Sequence, residues 1–471
     1  MIARSFMLRR FPRSAVLASC LSVALGQLPE AHAADTSGRA SYASSEFIPP
    51  SLRVGVEAAS QNTSGAVPEP RSVDNCGDDG SPGTLRAEID AAASGDTIDL
   101  SHLPCSMITL VPGSPIQILQ NSLMLSGPGA GNLTISGGNH SLIFEHLGTG
   151  TLQISDLTIG NGYHFDKGGC IYSAANVVLT GSVVSNCMVA SFASDAEGGG
   201  IYSAGDLTLI SSTITSGHAL ALAGPGSIAR GGGAWVRGHL QAKYSTISYN
   251  SAFDANSSGH GGGIVVPGAE IEGSTISGNT ANYCAGIEVV DFPLNVTNST
   301  ISGNSATRGG GGICGSPATT LTSSTVVFNK CPVRASGVSI AFADLTLHSS
   351  IVADNIGSND IAGSVGFKVL GSNNLVTSSD LQLPADTIQD CPKLDRLADN
   401  GGATRTHALR LGSPAIDHGN NDAGLMNDQR GSPRVAESFA DIGAFERQAG
   451  AIDERIFFDG FEESLGSSCD Q

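Results

Sequence analysis

Between residues 133 and 353 the chain alternates apolar and small polar positions with a period of two, in short runs separated by glycine, serine and asparagine. The runs come in threes, and the triplet is rewritten along the chain. It is seen as "GGCIYSAANVVLTGSVVSN" from 168, "GGGIYSAGDLTLISSTITSG" from 198, "GGGAWVRGHLQAKYSTISYN" from 231, "GGGIVVPGAEIEGSTISGN" from 261 and "GGGICGSPATTLTSSTVVFN" from 310. The apolar residue of the STI-like element falls at Ile135, Ile159, Val183, Ile214, Ile247, Ile276, Ile301, Val326 and Ile351, in steps of 24 to 33 residues. Helical repeats of this length would place apolar residues at i, i+3, i+4 and i+7. Alternation with period two predicts strands instead, and three short strands per repeat predict one turn of a parallel β-helix. The expected fold is all-β, a solenoid of about ten turns, roughly 48 Å long at one strand spacing per turn.

The spacing within a unit adds detail. From the apolar residue after GGG to that of STI the distance holds at 12 to 14 residues, whereas the stretch from STI to the next GGG varies from 11 to 20. Insertions therefore project from one loop position on one side of the stack. The longest are consecutive: "CMVASFASDAE", "HALALAGPGSIAR" and "SAFDANSSGH". Three residues after the apolar mark stand Asn186, Gly217, Asn250, Asn279, Asn304, Asn329 and Asp354. Stacked at the strand spacing of about 4.8 Å, such amides can bond one to the next, so Asn186, Asn250, Asn279, Asn304 and Asn329 are expected to form a structural ladder. Ahead of the repeats, "SPGTLRAEIDAAASGD" predicts a short helix with Leu85, Ile89 and Ala92 on one face, lying across the first turn as a cap.

Composition narrows the class. Of 471 residues 61 are glycine, 14% are charged and 40% are hydrophobic, which excludes a disordered polymer; the net charge of −19 opposes nucleic acid and anionic lipid as partners. Residues 1–33 carry four arginines, then "SAVLASCLSVALG", then "AHA", the pattern of a secretory signal peptide. The rival lipoprotein reading, with Cys20 of "LASC" acylated, has a short apolar stretch behind it. Residues 34–70 are expected to be a disordered linker. In an exported chain disulfides are the default: Cys170 with Cys187 and Cys314 with Cys331 share a spacing of 17 residues, and Cys76 with Cys105 makes a third pair, leaving Cys284, Cys391 and Cys469 unassigned.

Two segments and the repeats carry a resemblance. "CGDDGSPGTLRAEIDAAASGDTIDL" with "CSMITL", in the cap at 71–110, resembles the CSLREA-type module, although Gly83-Thr84 replaces the naming cysteine. "LGSNNLV", "PKLDRLADNGGATRTHALRLGSPAIDHGNN", "DQRGSPR" and "DIGAFE", within 357–448, resemble the choice-of-anchor Q module. The repeats at 111–356 resemble right-handed parallel β-helix proteins, with "GGGI" and "STISGN" similar to the motifs of outer-membrane adhesins. The resemblance implies a right-handed β-helix at the bacterial exterior and supplies no reaction. The tail 449–471 occupies the place of a sorting signal.

Parallel β-helices can host polysaccharide lyases, which need a base and a cation or metal, and inverting hydrolases, which need two carboxyl groups about 6.5–9.5 Å apart. The candidates for such chemistry are His164, Lys167, Arg237 and His239, which line up poorly in the repeat, and a solvated outer face accounts for them better. Asp395, Asp399, Arg405, His407, Asp417, His418, Asp428, Arg430 and Asp441 form a polar set whose expected role is Asp–Arg pairing that closes the C-terminal end. Carboxylates suit calcium, but no EF-hand or RTX loop supports it, and no cofactor is expected. The favoured expectation is a monomeric, non-enzymatic, secreted or surface-displayed protein. Its lateral loops would bind a polysaccharide or cell-surface component, with Phe192, Trp235 and Phe253 as sugar-stacking groups. A polysaccharide lyase or glycoside hydrolase and a structural spacer are the alternatives.

Overall fold

The computed structural model describes residues 70–450 apart from 225, 255–257 and 316–317. The expected signal peptide, the linker up to 69, the tail from 451 and Cys469 lie outside the described residues. The chain is a right-handed parallel β-helix of about 11 turns. Each turn passes through three walls. The second wall runs from Ile116–Ile118 to Ile361–Gly363, the first from Arg71–Ser72 to Val369–Ser372, and the third from Met107–Thr109 to Leu375–Val376. A turn is traced by Ile171–Ser173, Asn176–Thr180 and Val183–Ser191, and every wall strand pairs in parallel with the same strand one turn away.

The alternation dictates this packing. Successive residues of a strand point alternately inward and outward, so Val177 and Leu179 stack on Leu207 and Leu209, then on Leu240 and Ala242, in one continuous buried core. The third wall contributes one apolar residue per turn, Ile135, Ile159, Val184, Ile214 and onward, each fully buried. Burying such a side chain is worth about 1.5–3 kcal/mol. The helix Leu85–Asp90 is capped by the Thr84 side chain and buries Leu85 and Ile89 against the first turn; Gln120 Nε2 donates to the carbonyls of Ile89 and Ala92 at its end.

The corners are built from side-chain ladders. Asn250 Nδ2 donates to Asn279 Oδ1 (2.9 Å), Asn279 to Asn304 (2.9 Å), Asn304 to Asn329 (2.8 Å) and Asn329 to Asn355 (2.9 Å). The series ends where Asn355 donates to the Asp360 carboxylate. Asn186 is not in it. In register, Val184 rather than Val183 matches Ile159 and Ile214, so the ladder position of that turn is Cys187, opposite Gly217. Asn186 sits one residue earlier with φ 54°, at the left-handed corner that Tyr249 (φ 57°) and Phe328 (φ 57°) hold in later turns; asparagine tolerates that conformation. The same one-residue slip puts Asn355 where Asp354 was expected, because Val352 and not Ile351 pairs with Val326. A second ladder went unanticipated: the backbone N–H of each serine in Ser182, Ser212, Ser245, Ser274, Ser299 and Ser324 donates to the hydroxyl of the next, through to Ser350.

Cys76–Cys105 and Cys170–Cys187 are bonded. Cys314 pairs with Cys284, not with Cys331, which is free and buried. The spacing of 17 misled because both cysteines of the later turn are displaced by two positions. Cys170 matches Gly312 in the register and Cys314 matches Tyr172; likewise Cys187 matches Asn329, leaving Cys331 two residues beyond it, inside the lateral core with Ala281 and Ala306.

Residues 393–448 do not close the end of the stack. They lie as a strap along the outer face of the third wall over its last turns. Thr275 Oγ1 donates to the Arg405 carbonyl, Asn298 Nδ2 to the Asn427 carbonyl, Thr300 Oγ1 to Gln429 Oε1, and the Ala444 N–H to Thr325 Oγ1. Leu394, Leu409, Ala415, Ile442 and Phe445 pack on Val327, Ile351, Ala353 and Leu375. Within the strap Arg430 pairs with Asp428 (2.7 Å) and Arg410 with Asp395 (2.9 Å). His407 is held neutral: burial pushes it down to about 4, Nδ1 donates to the Asp395 carbonyl, and Nε2 accepts from the Ser302 hydroxyl.

Candidate functional site

Where the loops leave the third wall and return to the second, a further row of residues falls into register: Lys167, Glu197, Arg230, His260 and Tyr283, one per turn. Beside it runs the outward-facing column of the second wall, Glu145, Tyr172, Tyr202, Trp235, Val265 and Glu288. The reason is geometric. The first glycine of the GGG at 198, 231 and 261 takes a positive φ (Gly231, 64°), and the second passes so near its neighbours that a Cβ at Gly232 would lie 2.3 Å from the Ser251 carbonyl oxygen. Glycine there lets the long loops fold flat and bring their last residues against the wall.

The two rows interlock. Tyr172 and Tyr202 stack with centroids 5.2 Å apart, and Trp235 meets Tyr202 edge to face at 5.5 Å. Tyr202 is 3% exposed, sealed between its neighbours, while Tyr172 and Trp235 are half-buried and reach solvent. The Lys167 ammonium lies over the Tyr202 ring and the Arg230 guanidinium over Trp235. Both cations are matched by carboxylates: Lys167 by Glu197 (3.3 Å), Arg230 by Asp195 and, at 3.6 Å, by Glu197. Burial pushes the Glu197 carboxyl up, against the pull of Lys167 and Arg230. Burial also lowers Lys167, but Glu197 and Tyr202 outweigh it and hold the ammonium above its ordinary value. Burial raises the Asp195 carboxyl, but the hydrogen bonds from Arg230 and the Ile228 N–H, with the Arg230 and Lys167 charges, together outweigh it and draw it down. His260 stacks on Tyr283 (5.0 Å) and its Nδ1 lies 3.0 and 3.1 Å from the Glu288 carboxylate oxygens.

Of the residues singled out in the sequence, Lys167 and Trp235 belong to this ridge. His164 lies next to it, its Nδ1 donating to the Lys167 carbonyl. Arg237 lies exposed just past the second-wall strand Ala234–Val236 and His239 exposed at the start of the first-wall strand His239–Lys243, so the four proposed catalytic residues do not converge. Phe192 and Phe253 extend from the third wall, Phe192 exposed just past Val183–Ser191 and Phe253 opposite Leu220, whereas Trp235 stands on the second wall. Tyr172, Tyr202, Glu197, Arg230 and His260 were missed. The repeated "IY" of "GGCIYS" and "GGGIYS", aligned with "AW", was the available signal for the aromatic column. No sequence of three or more His, Cys, Asp or Glu side chains gathers as a metal site among the described residues.

No protein-family model matches the chain, and no curated protein matches its sequence. Among solved structures it is similar to the pectate lyase Pel9A (13% identity, TM-score 0.38), with 81% of this chain and 97% of that one covered. It is also similar to a PL6 alginate lyase in complex with a trisaccharide (12% identity, TM-score 0.28, 73% and 92% covered). Both likenesses concern the fold.

Proposed function

We propose that this protein is a secreted or surface-displayed β-helix that binds a polysaccharide or another cell-surface component, without cleaving it, through the ridge between its lateral loops and its second wall. The observation that carries this reading is the Tyr172–Tyr202–Trp235 column locked beside the Lys167–Glu197–Arg230–Asp195 network. Rings with one polar end and fixed hydrogen-bonding groups alongside are what sugar recognition uses. The ridge is rigid, since the core and ion pairs hold each side chain. Elimination or hydrolysis asks for a free base and an uncommitted cation; here Lys167 and Arg230 are each engaged by carboxylates. Export is supported by the leader-like N-terminus and by disulfides, and display by the choice-of-anchor Q resemblance of 357–448.

The test is incubation of the protein with a panel of neutral and acidic polysaccharides, recording both retention and newly formed reducing or unsaturated ends. Retention without new ends, weakened about tenfold by Trp235→Ala, is the expected result. New ends abolished by His260→Ala would place the protein among the enzymes, with the His260–Glu288 pair as its base. Neither retention nor new ends would leave the structural spacer.

A further inference from the structure

The ridge carries more negative charge than its cations can offset. Glu145, Asp166, Asp195, Glu197 and Glu288 border it, against Lys167 and Arg230. Lys167 is matched to Glu197, Arg230 to Asp195 and Glu288 to His260, which leaves Glu145 and Asp166 without a cation of their own. Glu145 and Asp166 stand near enough to Tyr172 for their fields to act on its hydroxyl. Glu145 is anchored by Gln117 Nε2 at 2.9 Å, and Glu288 holds His260. From Glu145 to Glu288 the column crosses five strand spacings, roughly 24 Å at about 4.8 Å each. A ligand laid along it passes within a Debye length, about 8 Å at physiological salt, of each of these carboxylates.

Resting on the binding reading above, we infer that this ridge accepts an uncharged glycan and turns polyuronates away. Uncharged sugars bring hydroxyl donors to the surplus carboxylates and to the phenol groups of Tyr172, and an apolar ring face to the indole of Trp235. A polyuronate brings one carboxylate per sugar into a field of the same sign, and both cations that would neutralise it are already paired. The net charge of −19 adds repulsion at long range.

Polymers of one backbone that differ in charge separate this inference from the reading it rests on. Retention of the full chain is measured on fully methyl-esterified and de-esterified homogalacturonan, and on hydroxyethyl and carboxymethyl cellulose. The expected result is retention on at least one neutral polymer and at least tenfold weaker retention on its carboxylated partner at low ionic strength, the gap narrowing as salt rises. The Glu145→Gln/Asp166→Asn variant is expected to narrow the same gap severalfold. Equal or tighter binding of the carboxylated partner overturns the charge preference while leaving binding intact. Retention on none of the four, with none on the wider panel, removes the binding reading itself and this inference with it.

Discussion

The two halves of the β-helix solve the same corner in different ways. In the later turns the third-wall strand stops after three residues, as in Thr275–Ser277, and resumes as Thr280–Ala281, with a buried asparagine at the break. In two earlier turns it runs on unbroken for nine residues, Val183–Ser191 and Thr213–Ala221, into the long loops. The asparagine is then lost. Gly217 stands in its place because a Cβ there would lie 2.4 Å from the Gly232 carbonyl oxygen, and in the preceding turn Cys187 holds the position and bonds to Cys170. In the later turns regularity is held by an amide ladder; where the nine-residue strands run on into the loops, the fold uses the Cys170–Cys187 bond and an ion-pair network instead, and the ridge starts before those turns and continues into the first turns of the ladder, as far as Glu288.

This contrast is sharpened first where the effect is largest. Asn279→Ala removes donors to Ile247 and Asn304 and the acceptor for both groups of Asn250, all buried. At about 1–3 kcal/mol per buried group left unsatisfied, the variant is expected to lose about 4 kcal/mol in denaturant unfolding. A loss below about 1 kcal/mol would mean the ladder does not hold the later turns. Replacing Cys170 and Cys187 together by serine is expected to cost about 3 kcal/mol, the loop-closure value for a bridge of this span, and to loosen protection of amides in 183–191 before those in 300–327.

The strap gives a third test, by pH. His407 has a folded-state value of about 4 against an ordinary 6.5, so the unfolded chain takes up a proton that the fold refuses. Its contribution is complete above about pH 6.5 and is lost as pH falls towards 4, about 3 kcal/mol in all. Glu446 acts in the opposite sense: burial raises it to about 7, so its contribution is largest below its ordinary 4.5 and fades as pH rises to 7. The difference between wild type and His407→Gln isolates the histidine, and a difference that stays flat from pH 7 to 4 would contradict this burial. The smallest effect is expected at the surface pair Lys243–Glu272 (3.0 Å) on the first wall, where Lys243→Gln should change stability by less than about 0.5 kcal/mol.

Much of this architecture could be seen in the alternation alone. A period of two with an STI mark every turn leaves one arrangement in which Ile214 falls on Ile247 and Ile276, because parallel stacking puts like residues on like. The helix Leu85–Asp90 was equally plain, from its apolar face. The serine that recurs before the apolar mark from Ser182 to Ser350 foretold the serine ladder and was passed over. What depended on phase was harder: "SVV" and "SIV" each offer two apolar residues, and choosing the first displaced Asn186 and Asp354 by one position.

The sequence by itself determined the walls, the core and the site of the loops, since each depends on contacts that repeat once per turn and so write a periodic signal. Only the tertiary structure decided which cysteine meets Cys314, that 393–448 lies along the third wall instead of across the end, and that Glu197 and Arg230 come between Lys167 and Trp235. Those contacts are made once. Thr275 with Arg405 or Thr300 with Gln429 are about 130 residues apart in the chain, and a pairing that occurs at one place, between residues with no shared period, leaves no pattern for the eye to count.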